Sequence, residues 1–321
     1  MDLEPKRERT VMEKQKRKEN AGNRIIRYIK KSYMLYLFLL PAVIYTILFD
    51  YMPMYGIQIA FKDFKSDLGI QASAWAGLKY FKIFFESYQF ESLIKNTLIL
   101  SLYALMAGFP IPIILAFLLN YIKNLKLKKL TQMVTYAPHF ISTVVFCGML
   151  FVLLGTDGIY NQILGVFGIK PIGFMTKAEN FRHVYVWSGI IQQMGWNSII
   201  YIAALTSVSP EIHEAAIVDG ASKLDRIIHI DWPSIMPTAV MLLILSAGRI
   251  MTLGFEKAFL LQNDLNLDYS EIIATYVYKI GILSRQLSLS AAIGLFNNII
   301  NFVLLLVVNQ FSKKMTKVGV M

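Results

Sequence analysis

The charged segment from Glu211 to Pro237 contains residues whose types and spacing suit the docking of a protein partner. Its start combines the carboxylate of Glu214 with alanines, whose small side chains let a partner surface approach closely. Gly220 can take the positive φ at which helices end, and Pro233 disfavours helix at the preceding Trp232. The other members of the pattern are Ala215, Ala216, Asp219 and Ile230. The segment therefore predicts a short helix, a turn and a second short helix at the membrane edge; the alternative is a solvated amphipathic loop.

A second set of polar residues lies inside an apolar stretch, where polar groups are costly unless they face a cavity or a partner helix. Gln193, Asn197 and Tyr201 follow one another at i, i+4 and i+8, so they share one face of a helix. Gln192 and Trp196 lie on an adjacent face. Amides form hydrogen bonds with sugars, and aromatic rings stack on them. These side chains predict a substrate path; the alternative is hydrogen bonding between helices, worth about 0.6 kcal/mol each.

Three asparagines near the end of the chain offer the same chemistry. Asn297 and Asn301 pair at i, i+4, and Asn298 lies beside them. A place on the substrate path and a role in helix packing both stay open for this group.

The sequence lacks the patterns that nucleotide or metal chemistry requires. No G-x-x-x-x-G-K-[ST] loop occurs anywhere, so the chain cannot bind ATP by the P-loop mode. No spacing typical of metal ligands is present, so we expect no metal and no cofactor on this chain. The histidines are scattered, at His139, His183, His213 and His229.

Composition places the chain in a membrane. Of its 321 residues 55% are hydrophobic and only 17% are charged, and the mean hydropathy is +0.50. The net charge of +11 could suggest nucleic acid. The basic residues, however, are concentrated in the N-terminal tail and in short loops between apolar stretches, which is the positive-inside arrangement of membrane proteins. We expect no nucleic-acid partner.

Six apolar windows are long enough to cross a hydrocarbon core of about 30 Å as helices. They are continuously apolar, whereas the strands of membrane barrels alternate over short segments. The predicted spans cover about residues 32–52, 96–122, 130–156, 183–207, 235–254 and 289–312. The predicted fold is an all-α membrane protein with a basic cytoplasmic tail at 1–31 and a transmembrane domain at 32–321.

The prolines, one arginine and one histidine within or next to these windows are assigned roles in structure and not in function. Pro110, Pro112 and Pro138 predict kinks in the second and third spans. Arg249 is interpreted as a packing or interface residue, and His139 as a helix residue with its hydrogen bonds satisfied.

Six spans place both termini on one side of the membrane. The basic tail, the loop around Lys126 and the C-terminal lysines all fall on that side, which predicts that it is the cytoplasm. The charged loop at 208–237 falls there too, although its acidic residues outnumber its basic ones. We take the acidic excess as a sign that this loop meets a protein.

The charged loop resembles the EAA loop of ATP-binding-cassette importer permeases. That loop reads E-A-A, three residues, G, nine residues, I, one residue, and then usually L-P; here Trp232 replaces the usual Leu. Further segments are similar to permeases for complex oligosaccharides, and they extend the resemblance over nearly the whole chain after about Ser32. They are residues 49–56, 60–63, 75–78, 96–97, 255–263, 270–278 and 292–297.

The resemblance implies the type I importer permease fold with six transmembrane helices, in a bacterial plasma membrane. Glu214, Ala215, Ala216 and Gly220 would be contact and hinge positions for an ATPase docked on the loop. The implied partners are two ATPase subunits that carry ATP and Mg, a second related permease in a heterodimer, an extracellular solute-binding protein and an oligosaccharide from polysaccharide breakdown. The chain itself would not be an enzyme.

Two other classes of protein compete with this interpretation. An autonomous channel or ion-coupled carrier predicts acidic or basic relay residues within the spans, which are nearly empty of them. A membrane-embedded metalloprotease or acyltransferase needs a His, Asp and Glu cluster at helical spacing. Both leave the pattern from Glu214 to Pro233 unexplained.

Overall fold

The computed structural model of the protein describes residues 30–251 and 254–316. The chain divides into two compact units, Met1–Gln58 and Ile59–Met321. Almost all of the predicted basic tail, residues 1–29, and the last five residues, 317–321, lie outside the described residues.

The first unit is helical over its described residues. Helix α1 spans Tyr33–Thr46, a π-helical turn follows at Ile47–Tyr51, and α2 spans Met52–Met54. The helix persists because the segment is apolar and contains no glycine before Tyr55.

The second unit consists of helices and one small antiparallel sheet. In the sheet, β1 (Lys62–Asp63) pairs with β2 (Ala74–Trp75), and Lys62 lies opposite Trp75. The helices before the charged loop are α3 (Gly69–Ala72), α4 (Lys79–Phe85), α5 (Phe90–Gly108), α6 (Pro110–Tyr121), α7 (Leu125–Tyr136), α8 (Thr143–Leu154), α9 (Ile159–Val166) and α10 (Asn180–Thr206). The later helices are α11 (Pro210–Val218), α12 (Lys223–Arg226), α13 (Trp232–Ala247), α14 (Phe255–Leu261), α15 (Leu267–Ser270), α16 (Ile273–Tyr278) and α17 (Leu287–Thr316).

Within residues 30–251 and 254–316, five helical stretches are long and apolar enough to cross a membrane. They are Tyr33–Phe61, Phe90–Tyr121, Thr143–Val166, Lys223–Ala247 and Leu287–Phe311. The predicted fourth span corresponds to α10, which is a continuous helix of 27 residues. Helix α10 is long enough to cross a membrane, but its polar side chains make it less apolar than the five stretches named above.

The third predicted span differs from the structure. The sequence predicts one kinked helix over 130–156, whereas the structure has two, α7 and α8, joined by a 3-10 turn at Ala137–Phe140. Pro138 lies in that turn, and the Ser142 hydroxyl accepts a hydrogen bond from the Val145 N–H at the start of α8. The proline and the new N-cap together separate the helices.

The prediction that helix is disfavoured at Trp232 is wrong. Trp232 has helical dihedral angles, and α13 continues from α12 through a π-helical turn at Ile227–Asp231. Proline lacks an N–H and clashes with the carbonyl one turn earlier. The wider turn accommodates Pro233 without a break. The π turn at Ile47–Tyr51 precedes Pro53 in the same way.

Helix α10 is the central element of the second unit, because it packs against α5, α6, α7 and α13. In one half of the helix Tyr185 belongs to the same apolar cluster as Leu100 of α5. In the other half Tyr201 packs with Ile113 of α6 and Ile235 of α13. Polar side chains on α10 are therefore held by a scaffold of four helices.

Helix α7 approaches α10 closely at a position that requires a glycine. A Cβ atom on Gly195 would overlap the backbone carbonyl of Thr135 and would lie 2.8 Å from the ring of Tyr136. No larger side chain fits without separating the two helices.

Candidate functional site

The charged loop folds into the predicted short helix and turn, but the second helix is not short, because α12 continues through the π turn into α13. The Ser209 hydroxyl accepts a hydrogen bond from the Glu211 N–H at the start of α11. The helix ends at Gly220, whose φ is +81°, and the Ala221 N–H donates to the Ala216 carbonyl at 2.9 Å. This is the arrangement of a Schellman C-cap.

The second short helix begins with reciprocal capping hydrogen bonds. The Ser222 N–H donates to Oδ2 of Asp225 at 2.9 Å, and the Asp225 N–H donates to the Ser222 hydroxyl at 3.2 Å. Such a capping box fixes the start of a helix. The turn between α11 and α12 therefore has a defined geometry.

Helix α11 presents a mixed surface of charge and apolar side chains. Glu214 and Ala215 are exposed, as are Asp219 and Gly220 after the helix. Val218 is 86% exposed. Of the other residues in the pattern, Pro233 is exposed and two are half-buried, Ala216 and Ile230.

A cavity of about 600 Å³ lies among α5, α6, α10 and α13. Four of the predicted substrate-path residues line it: Gln193, Trp196, Asn197 and Tyr201. Gln193, Asn197 and Tyr201 follow one stripe of α10, as their spacing predicts, and Trp196 joins them from the adjacent face.

Gln192 is not at the cavity. Its side chain is buried, and Nε2 donates a hydrogen bond to the Ile141 carbonyl at 3.1 Å, just before α8 begins. This contact satisfies a backbone acceptor at the break between α7 and α8.

The asparagines of the last span are not at the cavity either. The Asn297 amide donates to the Met251 carbonyl at 3.2 Å, and Oδ1 of Asn301 accepts from the Met251 N–H at 2.9 Å. Asn298 is exposed on another face of α17. Asn297 and Asn301 thus satisfy the backbone where the chain leaves α13, which is the packing alternative left open for this group.

Trp196 is held in place by the turn between α7 and α8. His139 stacks on its ring with centroids 4.3 Å apart and planes within 4° of each other. His139 Nδ1 also lies 2.8 Å from Oε1 of Gln193. The structure thus supplies His139 with a hydrogen-bond partner, and this partner is a cavity-lining residue.

Sequence reasoning did not place several residues at the cavity. Arg249, interpreted from the sequence as a packing or interface residue, lines the cavity two residues beyond the end of α13, and Ser101 and Tyr185 line it from α5 and α10. The buried Ser101 hydroxyl has no hydrogen-bond partner among the described residues. The signal for α5 was present: Ser101, Ala104 and Gly108 share a face of small side chains.

A buried amine lies near one end of the cavity. The Lys257 ammonium donates to the Tyr185 carbonyl at 2.9 Å and lies over the rings of Phe146 and Tyr185. Burial lowers the pKa of Lys257 to about 8. No carboxylate is recorded as its ion-pair partner in the described part of the chain.

We expect this lysine to make stability depend on pH. The pKa of an unfolded lysine is about 10.4, so between pH 8 and 10 the unfolded state binds more protons, and stability rises with pH by roughly 1 kcal/mol per unit. The thermal midpoint of the purified protein in detergent should rise from pH 7.5 to 9.5. The variant Lys257→Met should lose most of this rise, and equal slopes for the two proteins would contradict the expectation.

Comparison with known proteins identifies the family. Residues 89–317, more than two thirds of the chain, match the family described as binding-protein-dependent transport system inner membrane component. The Bacillus subtilis polygalacturonan/rhamnogalacturonan transport system permease protein YteP is 42% identical over 305 residues, which cover 95% of each chain. Protein LplB of the same organism is 39% identical over 292 residues, covering 91% of this chain and 92% of LplB.

A solved structure has the same fold. It belongs to a bacterial ABC transporter involved in the import of the acidic polysaccharide alginate, and it matches with a TM-score of 0.85 and 36% identity. The match covers 91% of this chain and 99% of that one. The chain is therefore an all-α, multi-pass membrane protein that belongs to the family of binding-protein-dependent transport system inner membrane components, the permeases of ABC importers.

Proposed function

We propose that the chain is the permease subunit of an ABC importer that moves oligosaccharides from polysaccharide breakdown into the cell. One observation supports the proposal. A cavity lined by amide and aromatic side chains of α10 occurs in the same chain as an exposed surface formed by α11, the turn at Gly220 and α12. The cavity suits a sugar, and the exposed surface suits the binding of an ATPase that drives transport. In this arrangement α10 is the fourth of six membrane spans, and both termini lie in the cytoplasm.

ATP hydrolysis belongs to a partner chain in this proposal. The importer contains two ATPase subunits with ATP and Mg, and one of them docks on α11, with Glu214, Ala215, Ala216 and Asp219 as contacts and Gly220 as the hinge. Ile230 and Pro233 set the return of the chain into the membrane. A second related permease completes the translocation path, and an extracellular solute-binding protein delivers the sugar. The exposed Val218 and Glu214 on one short helix support such a docking surface.

The charge of the cavity favours an acidic sugar. Among the described residues that line it, Arg249 is the only one with a formal charge. A guanidinium binds carboxylates through paired hydrogen bonds. YteP is named for polygalacturonan and rhamnogalacturonan, and the matched structure for alginate. These observations support oligosaccharides that carry uronate groups as the substrate.

An uptake assay with two sugars tests this assignment. In proteoliposomes that contain the complete importer, Arg249→Gln should reduce uptake of an oligogalacturonate by about 10-fold or more, since hydrogen bonds to charged groups contribute about 1.5–3 kcal/mol. Arg249→Lys, which retains the charge, should lose less. Ser246→Ala, at another cavity-lining position, serves as the control. Equal uptake of a neutral oligosaccharide and the oligogalacturonate by wild type would contradict the acidic-sugar assignment.

A further inference from the structure

One carboxylate joins three elements at the root of the charged loop. Asp231 is fully buried. Its Oδ2 accepts a 2.7 Å hydrogen bond from the Tyr121 hydroxyl, and its Oδ1 lies 3.2 Å from Nε2 of His213, an ion-pair distance without the alignment of a hydrogen bond. The guanidinium of Arg226 lies over the Tyr121 ring, 5.4 Å from its centroid.

Because Asp231 is buried, breaking its contacts would cost more free energy than breaking the same contacts at the surface. A carboxylate removed from water is costly unless polar partners compensate for the lost hydration. Tyr121 and His213 are the partners that the described structure supplies to Asp231. Separating either partner from the carboxylate would therefore cost far more than separating two exposed groups.

The three residues belong to elements with different tasks. His213 lies on α11, next to Glu214 in the proposed docking surface. Asp231 is the last residue of the π turn that leads into α13, whose Leu242 and Ser246 line the cavity. Tyr121 ends α6, and Pro112 of that helix lines the same cavity.

We propose that Asp231, with His213 and Tyr121, is the positioning link that moves α6 and α13 together with α11. The inference rests on the proposed function, because it assumes that α11 receives the motion of an ATPase. When α11 is displaced, the Asp231 carboxylate and its two partners keep the adjoining ends of α6 and α13 attached to α11. Loss of the link should leave ATPase docking intact and uncouple hydrolysis from transport.

The test is the number of sugars imported per ATP hydrolysed. Tyr121→Phe removes one hydroxyl without changing the shape of the side chain, and Asp231→Asn removes the charge. In proteoliposomes with the complete importer and an oligogalacturonate, both variants should assemble with the ATPase, and the number of sugars moved per ATP should fall. Tyr160→Phe, at an exposed tyrosine, is the matched control and should leave the ratio unchanged.

The outcomes separate this link from the proposed function. An unchanged ratio in Tyr121→Phe, beside a working wild type, overturns the link alone. Failure of Tyr121→Phe to assemble also overturns it, because the contact would then serve stability and not coupling. A wild type that neither imports the sugar nor raises ATP hydrolysis contradicts the proposed function itself.

Discussion

Replacing Glu214 by lysine should remove the ATPase from the complex that copurifies with this chain. Glu214 is exposed on α11, between a fixed N-cap at Ser209 and a fixed C-cap at Gly220. The helix should therefore persist while the charge that it presents to a partner is reversed. A like charge at an interface costs several kcal/mol, which corresponds to at least about a 100-fold loss of affinity.

A detergent pull-down from native membranes, with the copurifying proteins identified, provides the measurement. Wild type should bring down a soluble ATPase and a second permease, and Glu214→Lys should lose only the ATPase. Glu86→Lys, an equal charge reversal at an exposed site outside the loop, should lose neither. Retention of the ATPase by Glu214→Lys would show that α11 is not the docking site. Absence of an ATPase from wild type in several mild detergents would favour a stand-alone carrier.

The largest loss of stability from a single methyl group is expected at Gly195→Ala. The added Cβ would overlap the Thr135 carbonyl and press on the Tyr136 ring. Since the overlap is with backbone, α7 and α10 must separate, at a cost of about 1–3 kcal/mol or more. We expect a clear drop in thermal midpoint and in the yield of monodisperse protein.

Gly294→Ala is the matched control for Gly195→Ala. Gly294 is also within a helix, but a Cβ there would meet no atom within 4 Å. The substitution should be neutral or slightly stabilising, because alanine favours helix over glycine. Similar thermal midpoints for the two variants would refute the close approach of α7 and α10.

The features predicted correctly from the sequence are those that local signals determine. Ser209, Gly220 and Ser222 act within a few residues, so the first helix of the charged loop, the turn and the start of the second helix could be predicted. The face of α10 that carries Gln193 and Asn197 follows from helical periodicity alone. The family could be recognised because its pattern lies in such a local segment.

The remaining features depend on partners that are distant in the chain. Asn301 bonds to Met251, and Gln192 bonds to Ile141, about 50 positions away in each case. No spacing rule indicates such partners. Arg249 reaches the cavity because of where the chain runs after α13 ends. Helix at Trp232 depended on a π turn, for which the sequence has no simple signal.

The polarity of α10 also bears on how the chain enters the bilayer during synthesis. A helix is released sideways into lipid most readily when its surface is apolar, and polar side chains near its centre oppose that release. The apolar segments synthesised just before and just after α10 are Thr143–Val166 and Lys223–Ala247. Each is apolar enough to enter the lipid by itself. The free-energy cost of moving α10 into the lipid is lowest when neighbouring helices already cover its amide side chains. The same side chains that suit a sugar therefore make its insertion a cooperative step.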